Sequence, residues 1–296
     1  MLSGVARLLP ASIEGGLRRA SARRRDVTRA AEFAIAYSVD AMETPPCALC
    51  GGMDVKYHLE FNGFRIVKCS RDGLIFVSPR PRDVTPFYDS RYFTGQITGL
   101  YGEYSVHARE MQAEWSERLA AIDSLTAHKG LLVDVGAATG EFLVLARKDG
   151  WAVAGIEKSE WASQKARDEH ALEMTAGDLA AAAIPDRSID VITIWDCIEH
   201  VSNPADTLAE AARVIKPGGI VAISTGAVPD GDPRLHSGWY FPPWHLYYFS
   251  PQTLKLLCRA AGFSTVSLTV KDSDTNYAMM TLFARRDHWT PASDRI

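Results

Sequence analysis

The feature that most constrains the fold is an alternation of apolar runs and helical patterns that begins after residue 130. The predicted strands are Leu131–Val135, Ala152–Ile156, Val191–Ile194 and Ile220–Ser224, with further strand-like runs at Ser264–Val270 and Met279–Ala284. The predicted helices are Gly140–Lys148, Ser159–Glu169, Pro204–Ile215 and Pro251–Ala261. Helices between apolar strands imply a parallel sheet covered on both faces. The alternation therefore predicts an α/β fold with a doubly wound, mostly parallel sheet.

The first third of the chain follows a different pattern. Residues 44–95 are rich in Gly, Pro and Cys, and Phe64–Lys68 and Leu74–Val77 are typical of short strands, the second of which Pro79-Arg80-Pro81 would end. A helical pattern follows from Val106 to Ala127. The chain thus divides into a basic extension (1–43), a small strand-rich module (44–95) and the α/β domain (96–296).

Seven arginines lie among Ala, Leu and Ser in the first 43 residues. Such a segment is typical of a transit peptide or a surface-binding arm, and equally of a partly ordered helical extension. Five cysteines, an odd number without a secretory leader, favour a reducing compartment over a disulfide framework. We therefore expect a cytoplasmic protein, or a mitochondrial one if the extension is a transit peptide.

The overall charge excludes several kinds of partner. The formal net charge is −4, which gives no global electrostatic reason to expect binding to nucleic acid or to an anionic membrane. No apolar run approaches the roughly 20 residues that a membrane helix requires.

Small residues follow the first strand of the α/β domain, where open sheets bind ligands. Asp134 lies near the strand end, and Gly136, Ala138 and Gly140 come at alternate positions. The spacing departs from the G-x-G-x-x-G dinucleotide pattern, and no Lys-Ser/Thr pair follows, so the turn suits a ligand without a pyrophosphate. Glu157 ends the second strand, where a carboxylate can accept both hydroxyls of a ribose, and Asp178 follows the presumed third strand. Taken singly, these acids are also compatible with a turn residue, a surface acid and a helix cap.

Together these segments resemble class I S-adenosylmethionine-dependent methyltransferases, from about Leu131 to Arg285. Residues 133–140 (VDVGAATG) look like the family's glycine-rich motif, with Ala138 where Gly is commoner, a change that should be tolerated. The resemblance implies a Rossmann-like sheet of about seven strands and S-adenosylmethionine as cofactor. It also implies these cofactor-binding residues: Asp134, Gly136, Ala138, Gly140, Glu157, Asp178, Leu179, Trp195 and Asp196.

Three cysteines cluster in the N-terminal module. Cys47 and Cys50 form a C-x-x-C pair, and Cys69 follows with Asp72 where a zinc ribbon would have its fourth cysteine. A carboxylate can ligate zinc, so a Cys3Asp site is chemically sound; the alternative is a degenerate knuckle without metal. Many small-molecule methyltransferases carry a similar N-terminal ribbon followed by a Tyr-rich stretch, and this likeness implies that the module supports the substrate side.

Two histidines are candidates for acid–base chemistry. His200 follows the fourth strand in a Glu-His-Val segment that is also typical of the family, and His245 lies in an aromatic loop with two prolines. His245 is expected to act as a general base near its ordinary pKa of roughly 6.5, unless either histidine serves only packing or a structural hydrogen bond. The loop resembles the family's His-Leu-x-x-Phe-Ser segment beside the substrate pocket. Its candidate substrate residues are Tyr240, Trp244, Tyr247 and Tyr248.

The leading hypothesis is methyl transfer to oxygen or carbon of a small-molecule acceptor such as a sugar, a quinone or a secondary metabolite. One alternative is an RNA base methyltransferase, supported only by the N-terminal arginines and disfavoured by the acidic balance. Another is a non-catalytic cofactor-binding scaffold, which the nearly complete cofactor motifs disfavour.

Overall fold

The structure is a computed structural model that describes residues 41–96, 104–228, 239–272 and 278–287. The predicted basic extension lies outside these residues, apart from its last three positions. No helix in the described segments has the length and apolar character needed to cross a membrane.

Residues 42–81 contain five short strands, and the first of them pairs with the last. Met42–Glu43 (β1) is antiparallel to Arg80–Pro81 (β5). The other three strands are β2 (Val55–Phe61), β3 (Phe64–Cys69) and β4 (Ile75–Val77). The predicted strands at 64–68 and 74–77 correspond to β3 and β4. The sequence did not predict β2, whose polar and apolar residues alternate only irregularly.

The α/β domain supplies the predicted large sheet. Its strands are β6 (Leu131–Val135), β7 (Ala152–Glu157), β8 (Met174–Ala176), β9 (Ile189–Trp195), β10 (Ile215–Ala227), β12 (Phe263–Asp272) and β13 (Ala278–Arg286). The seven strands run in the order β12-β13-β10-β9-β6-β7-β8. The first five of these along the chain pair in parallel, and β12 and β13 are antiparallel. The predicted α/β fold and mostly parallel sheet are confirmed.

Helices cover both faces of this sheet. They are α1 (Ser90–Phe93), α2 (Tyr104–Leu125), α3 (Glu141–Lys148), α4 (Glu160–His170), α5 (Pro204–Val214) and α6 (Pro251–Ala260). Capping side chains fix several starts: Asn203 accepts from the Ala205 N–H before Pro204, and Ser250 forms a capping box with Thr253. Trp115, Leu119 and Ile122 of α2 are buried against the sheet.

The aromatic loop joins the two sheets. Tyr247–Tyr248 forms a short strand (β11) that pairs antiparallel with β4, which makes a four-stranded sheet in the order β11-β4-β3-β2. One continuous core contains Phe76 from the module, Trp244 and Leu246 from the loop and Ile194 from the large sheet. The module and the α/β domain are therefore packed together through residues 244–248.

Candidate functional site

The turn after β6 is shaped by close contacts that exclude side chains. Gly136 has φ +78°, and a Cβ atom built there would lie 2.4 Å from the Cys197 Sγ atom. The N–H groups of Gly136 and Ala137 donate to Ile156 O at 2.8 and 3.1 Å. Gly140 has φ +90°, and its added Cβ would lie 2.4 Å from Leu172 Cδ1. Glycine is thus required at both positions, at Gly136 by Cys197 and at Gly140 by the packing of Leu172.

Ala138 occupies a conformation that an L-residue adopts at a cost. Its φ is +49°, in the left-handed region, and the residue is buried. Its N–H donates to Glu157 Oε2 at 2.9 Å. The departure from Gly at this position is accommodated, and the backbone N–H that the conformation exposes is satisfied by the carboxylate.

Two buried carboxylates flank this turn. Glu157 accepts a second backbone bond from Ser159 N at Oε1, 2.8 Å away. Asp134 Oδ1 accepts from the hydroxyl of Thr193, which lies opposite it on β9, at 2.6 Å. Burial raises the pKa of both groups, that of Asp134 to about 7, and Glu157 adds to the rise at Asp134. We call Asp134, Gly136, Ala138, Gly140 and Glu157 the glycine-turn cluster.

The next predicted cofactor residues lie after β8. Leu179 is buried, whereas Asp178 is exposed and accepts a hydrogen bond from Ala181 N at 2.9 Å. The Asp178 carboxylate therefore stabilises a local turn, which matches the alternative role of a cap. A contact with adenine stays a prediction.

The end of β9 is fixed by an arginine that the sequence did not identify. Asp196 has φ +48°, and its Oδ1 accepts from Ser224 Oγ at 2.8 Å. Arg118 donates from Nη1 to the same Ser224 oxygen at 3.2 Å, and its guanidinium lies 4.9 Å from the centre of the Trp195 ring. The sequence feature that could have identified Arg118 is its position on the same face of α2 as the buried residues Trp115 and Leu119. Arg118 connects α2 to the residues that follow the fourth strand.

Two imidazoles meet beyond β9. The rings of His200 and His245 pack edge to face, with centroids 4.7 Å apart. His200 Nδ1 lies 2.9 Å from Trp244 O, and His245 Nδ1 lies 2.8 Å from Trp239 O. A carbonyl oxygen only accepts, so each Nδ1 carries the proton and each neutral ring keeps a lone pair on Nε2. The predicted candidate histidines are thus brought together with the same tautomer.

Burial changes the acid–base behaviour of this pair. It lowers the pKa of His200 to about 4 and that of His245 well below its ordinary value, with His200 adding to the second effect. The expectation that His245 would titrate near 6.5 was wrong, because the loop encloses the ring. Both imidazoles are therefore neutral bases at neutral pH. Glu199 lies next to them and is fully buried, and we call Glu199, His200 and His245 the histidine cluster.

A tyrosine that received no role from the sequence contacts this cluster. Tyr88 Oη lies 3.0 Å from His200 Nδ1, and its ring packs edge to face on the imidazole. Burial raises the pKa of Tyr88, and the charges of Glu157 and Glu199 add to the rise. Tyr88 therefore lies between the two clusters. In the sequence, only the position of Tyr88 in the Tyr-rich stretch from Phe87 to Phe93 pointed to a role for it.

The predicted substrate residues are all buried, and the hydroxyl groups of the three tyrosines among them have hydrogen-bonding partners. Tyr248 Oη donates to His245 O at 3.0 Å, Tyr247 Oη donates to Ser202 O at 3.1 Å, and Tyr240 Oη lies 3.0 Å from His58 Nε2. Trp244 stacks on Phe241 with ring centroids 5.0 Å apart. These side chains hold the loop in place around His245, and their contact with a substrate remains a prediction.

The four predicted metal ligands converge in the module. The Cys47 and Cys69 sulfurs lie 3.2 and 3.3 Å from Asp72 Oδ2, and the Cys50 and Cys69 sulfurs lie 3.6 Å apart. Zinc binds sulfur at about 2.3 Å and oxygen at about 2.0–2.2 Å in a tetrahedron, so its ligands are separated by about 3.3–3.8 Å. The residues present therefore fit a zinc ion, with Cys47 buried and the turns at Gly51 and Gly73 shaping the two knuckles.

A cavity of about 590 Å³ lies elsewhere, at the base of the module. Arg80, Arg82 and Asn203 line it, together with residues 42–46 and Ser202. It includes no residue of the two clusters and no predicted cofactor residue. The chemistry of the clusters, rather than the size of this cavity, identifies the candidate site.

Comparison with known proteins gives a consistent result. A family model described as "Methyltransferase domain" matches residues 107–268, more than half of the chain. The chain is 33% identical over 167 residues to a demethylmenaquinone methyltransferase of Tropheryma whipplei, covering 54% of this chain and 66% of that protein, just under two thirds of its length. It is 30% identical over 189 residues to a ubiquinone biosynthesis O-methyltransferase of Azoarcus sp., covering 53% of this chain and 81% of that protein.

A solved structure supports the fold. A chain of the complex between the Haloferax volcanii Trm112 methyltransferase activator and a methyltransferase superimposes with a TM-score of 0.53 and 18% identity, covering 63% of this chain and 96% of that one. At this identity the likeness concerns the fold alone. With the family match over residues 107–268, the glycine turn and the seven-stranded sheet, the chain belongs to the class I S-adenosylmethionine-dependent methyltransferase family.

Proposed function

We propose that this protein transfers the methyl group of S-adenosylmethionine to an oxygen or carbon atom of a small-molecule acceptor. The observation that carries the proposal is the position of the two clusters. A glycine turn with two buried carboxylates lies after β6 and β7, and a pair of neutral imidazoles follows β9, so both lie at the carboxyl edge of one parallel sheet. Ligands bind at that edge in open α/β folds.

The glycine-turn cluster would hold the ribose and methionine parts of the cofactor. Each oxygen of Glu157 accepts one backbone N–H and keeps a second lone pair, which suits the two ribose hydroxyls. Asp134, Gly136, Ala138 and Gly140 would border the methionine part with Trp195 and Asp196. Asp178 and Leu179 would flank the adenine. The sulfonium supplies an activated methyl group, so the protein chiefly binds, aligns and excludes water.

The histidine pair would act on the acceptor. A hydroxyl or acidic carbon becomes a better nucleophile as its proton is drawn away, and His245 and His200 each offer an unprotonated Nε2 in a buried setting. Their Nδ1–H bonds to backbone carbonyls fix the orientation of both rings. Tyr88 and the aromatic residues Tyr240, Trp244, Tyr247 and Tyr248 would close this end against water.

Quinones are the acceptor class that we favour. Two relatives are named for demethylmenaquinone and for ubiquinone biosynthesis, and the candidate acceptor end is built mainly from aromatic side chains. Planar acceptors suit such surroundings because aromatic rings stack on one another. A sugar or a secondary metabolite is the alternative acceptor. The arginines that would favour RNA lie outside the described residues.

The cysteine cluster would bind a structural zinc ion. Cys47, Cys50, Cys69 and Asp72 would be its ligands, and the ion would hold β3 and β4, the second of which pairs with β11. Reduced cysteines of this kind are typical of the cytoplasm, which is our proposed location.

The test is calorimetric titration with S-adenosylhomocysteine, followed by methyl transfer to a panel of hydroxylated quinones, sugars and phenols. Glu157→Gln should weaken binding by about tenfold or more, or about 1.4 kcal/mol, because an amide cannot accept from both ribose hydroxyls as a carboxylate does. Glu173→Gln makes the same change on the exposed surface and should leave the affinity unaltered. Equal affinity of both variants would refute the cofactor site.

A further inference from the structure

The histidine cluster contains a chemical imbalance that methyl transfer alone does not explain. A ring nitrogen of His200, one of His245 and a carboxylate oxygen of Glu199 all lie within 4.8 Å of one another. Each Nδ1–H is used on a carbonyl oxygen, so the remaining nitrogen of each ring is an acceptor. With Glu199 ionised, the cluster therefore brings together three acceptors and no donor.

Glu199 makes the imbalance more pronounced. The residue is fully buried, and among the described residues neither of its carboxylate oxygens has a hydrogen-bond partner. Within the same set, the only cationic or titratable base at ion-pair distance is His200, whose Nε2 lies 4.0 Å from Glu199 Oε1. The hydroxyl of Thr225, which lies near the carboxylate, also makes no hydrogen bond among the described residues. A buried carboxylate is normally paired, hydrogen-bonded or bound to a metal.

The backbone holds these three side chains in place. Leu246 N and Tyr247 N both donate to Glu199 O, at 2.8 and 3.2 Å. The loop that carries His245 is thus fastened directly to the segment that carries Glu199 and His200. The carbonyl bonds at Nδ1 are also the arrangement found around metal-bound histidines, where a second group fixes the tautomer and the ring direction.

We propose that Glu199, His200 and His245 bind a divalent transition-metal ion, separate from the cysteine site and placed at the acceptor end of the crevice. Two imidazole nitrogens and one carboxylate oxygen suit ions such as Zn²⁺, Fe²⁺, Mn²⁺ or Co²⁺, and three protein ligands leave a coordination position open. The ion supplies the positive charge that the three acceptors lack.

This inference rests on the proposed function and refines it. An acceptor oxygen bound at the open position would lose its proton more readily, because a Lewis acid lowers the pKa of a coordinated hydroxyl. Its proton would pass to solvent, and the oxygen would then attack the methyl carbon as the bond from that carbon to sulfur breaks. The histidines would act on the acceptor through the ion. Hydroxylated acceptors that chelate, such as catechol-like quinols, are the substrate class that this arrangement fits best.

Cobalt titration of the full-length protein tests the site. Zinc-loaded protein is dialysed against a weak chelator, and Co²⁺ is then added while the visible absorption spectrum is recorded. Cobalt at the histidine cluster would give ligand-field bands without thiolate-to-cobalt charge transfer, whereas cobalt in the ribbon would show that charge transfer. We expect one equivalent of cobalt with the thiolate-free spectrum.

Two variants identify the ligands. Glu199→Gln keeps the shape of the side chain and should weaken cobalt binding at this position by about a hundredfold or more. His245→Asn should have the same effect, because the asparagine amide can still donate to Trp239 O while the metal ligand is lost. Glu173→Gln is the matched control and should bind cobalt like the unmodified protein. Circular dichroism and S-adenosylhomocysteine titration verify that each variant is folded.

The outcomes separate the two proposals. Identical cobalt uptake and spectra in the unmodified protein and in folded Glu199→Gln would overturn the metal site, and methyl transfer that persists without metal would leave the proposed function standing. Thiolate-free cobalt bands that Glu199→Gln abolishes would support the site even if no acceptor were methylated, in which case only the proposed function would fail.

Discussion

The glycine-turn cluster and the histidine cluster lie at the same edge of the sheet, but they are assembled in different ways. The first is local: Asp134 lies at the end of one strand, Gly136 and Ala138 follow it, and Glu157 ends the neighbouring strand. The second requires His245 from a distant loop, which is tied to Glu199 by backbone bonds and to the N-terminal module through β11. We therefore expect the first cluster to depend on its immediate backbone and the second to depend on the whole assembly.

The largest effect is expected at Asp134. The prediction tests whether burying the Asp134 carboxylate in the glycine-turn cluster lowers the free energy of unfolding once the group is ionised. The pKa of Asp134 is about 7 in the folded chain, against a value of 3.8 for the free group, because burial disfavours the ionised form. The folded state therefore binds more protons between these values, and the free energy of unfolding should fall as pH rises from about 4 to about 7. The full loss would be at most about 4 kcal/mol.

Asp134→Asn should remove this pH dependence, since the amide oxygen still accepts from Thr193. Urea unfolding at pH 4.5 and pH 7.5 measures it. Asp168→Asn, on the exposed surface of α4, is the control and should keep the slope of the unmodified protein. If the free energy of unfolding changed between these two pH values by the same amount in the unmodified protein and in Asp134→Asn, the carboxylate would not be buried in this way.

The second effect concerns Gly136, where the glycine turn leaves no room for a side chain. Gly136→Ala would place a methyl group 2.4 Å from Cys197 Sγ and force an L-residue into φ +78°. We expect a loss of about 3 kcal/mol of folding free energy and a loss of S-adenosylhomocysteine binding.

Gly218 provides a matched control for that substitution. It has φ +82°, but an added Cβ would meet no atom within 4 Å. Gly218→Ala should therefore cost only the backbone term of about 1 kcal/mol and leave cofactor affinity unchanged. Thermal unfolding of the two variants separates steric contact from backbone strain, and equal losses would mean that Cys197 does not constrain the turn.

These two clusters also differ in how far the sequence could predict them. The strand ends, the glycine spacing and the acids at Asp134 and Glu157 follow from local patterns, because a parallel sheet brings successive strand ends to one edge. The pairing of β11 with β4 could not be predicted, since a two-residue strand has no periodicity and its partner lies about 170 residues earlier. The role of Arg118 was missed because its contact with Ser224, which is also distant in sequence, exists only after α2 packs on the sheet.

The histidine cluster shows a second limit. The sequence placed His200 and His245 among the candidate residues, but the burial that lowers their pKa comes from the folded loop rather than from neighbouring residues in the chain. Glu199 was part of a family-like segment without a role. Its lack of a hydrogen-bond partner is visible only once the surrounding carbonyls and N–H groups are placed.

The third prediction tests the dependence of the histidine cluster on the module. Cys69→Ser removes one of the proposed zinc ligands at the end of β3, and β3 pairs with β4, which in turn pairs with β11. Methyl transfer should fall by about tenfold or more, equivalent to about 1.4 kcal/mol, while S-adenosylhomocysteine affinity changes by less than about twofold. Zinc content, calorimetry and turnover are measured on the same sample.

Cys258→Ser is the control for that change, because Cys258 is a buried cysteine of α6 that lies outside the ribbon. It should retain zinc and its turnover per folded molecule. If Cys69→Ser lost cofactor affinity and turnover in equal measure, the module would support the entire domain, and the contrast between the two clusters would be lost.

The smallest effect is expected at Ala138 and is a gain. Ala138 and Ala171 both have positive φ, +49° and +50°, and the left-handed conformation costs an L-residue about 1–2 kcal/mol. Glycine relieves this cost but loses about 0.5–1 kcal/mol through its freedom in the unfolded chain, so each Ala→Gly change should stabilise by about 0.5–1 kcal/mol. Of these two alanines, Ala138 alone donates to Glu157, so only Ala138→Gly should alter S-adenosylhomocysteine affinity, because a more mobile N–H holds the carboxylate less firmly. Ala171→Gly, at the end of α4, should change stability alone. If both variants shifted the affinity equally, cofactor binding would follow general stability, and the local character of the glycine-turn cluster would be disproved.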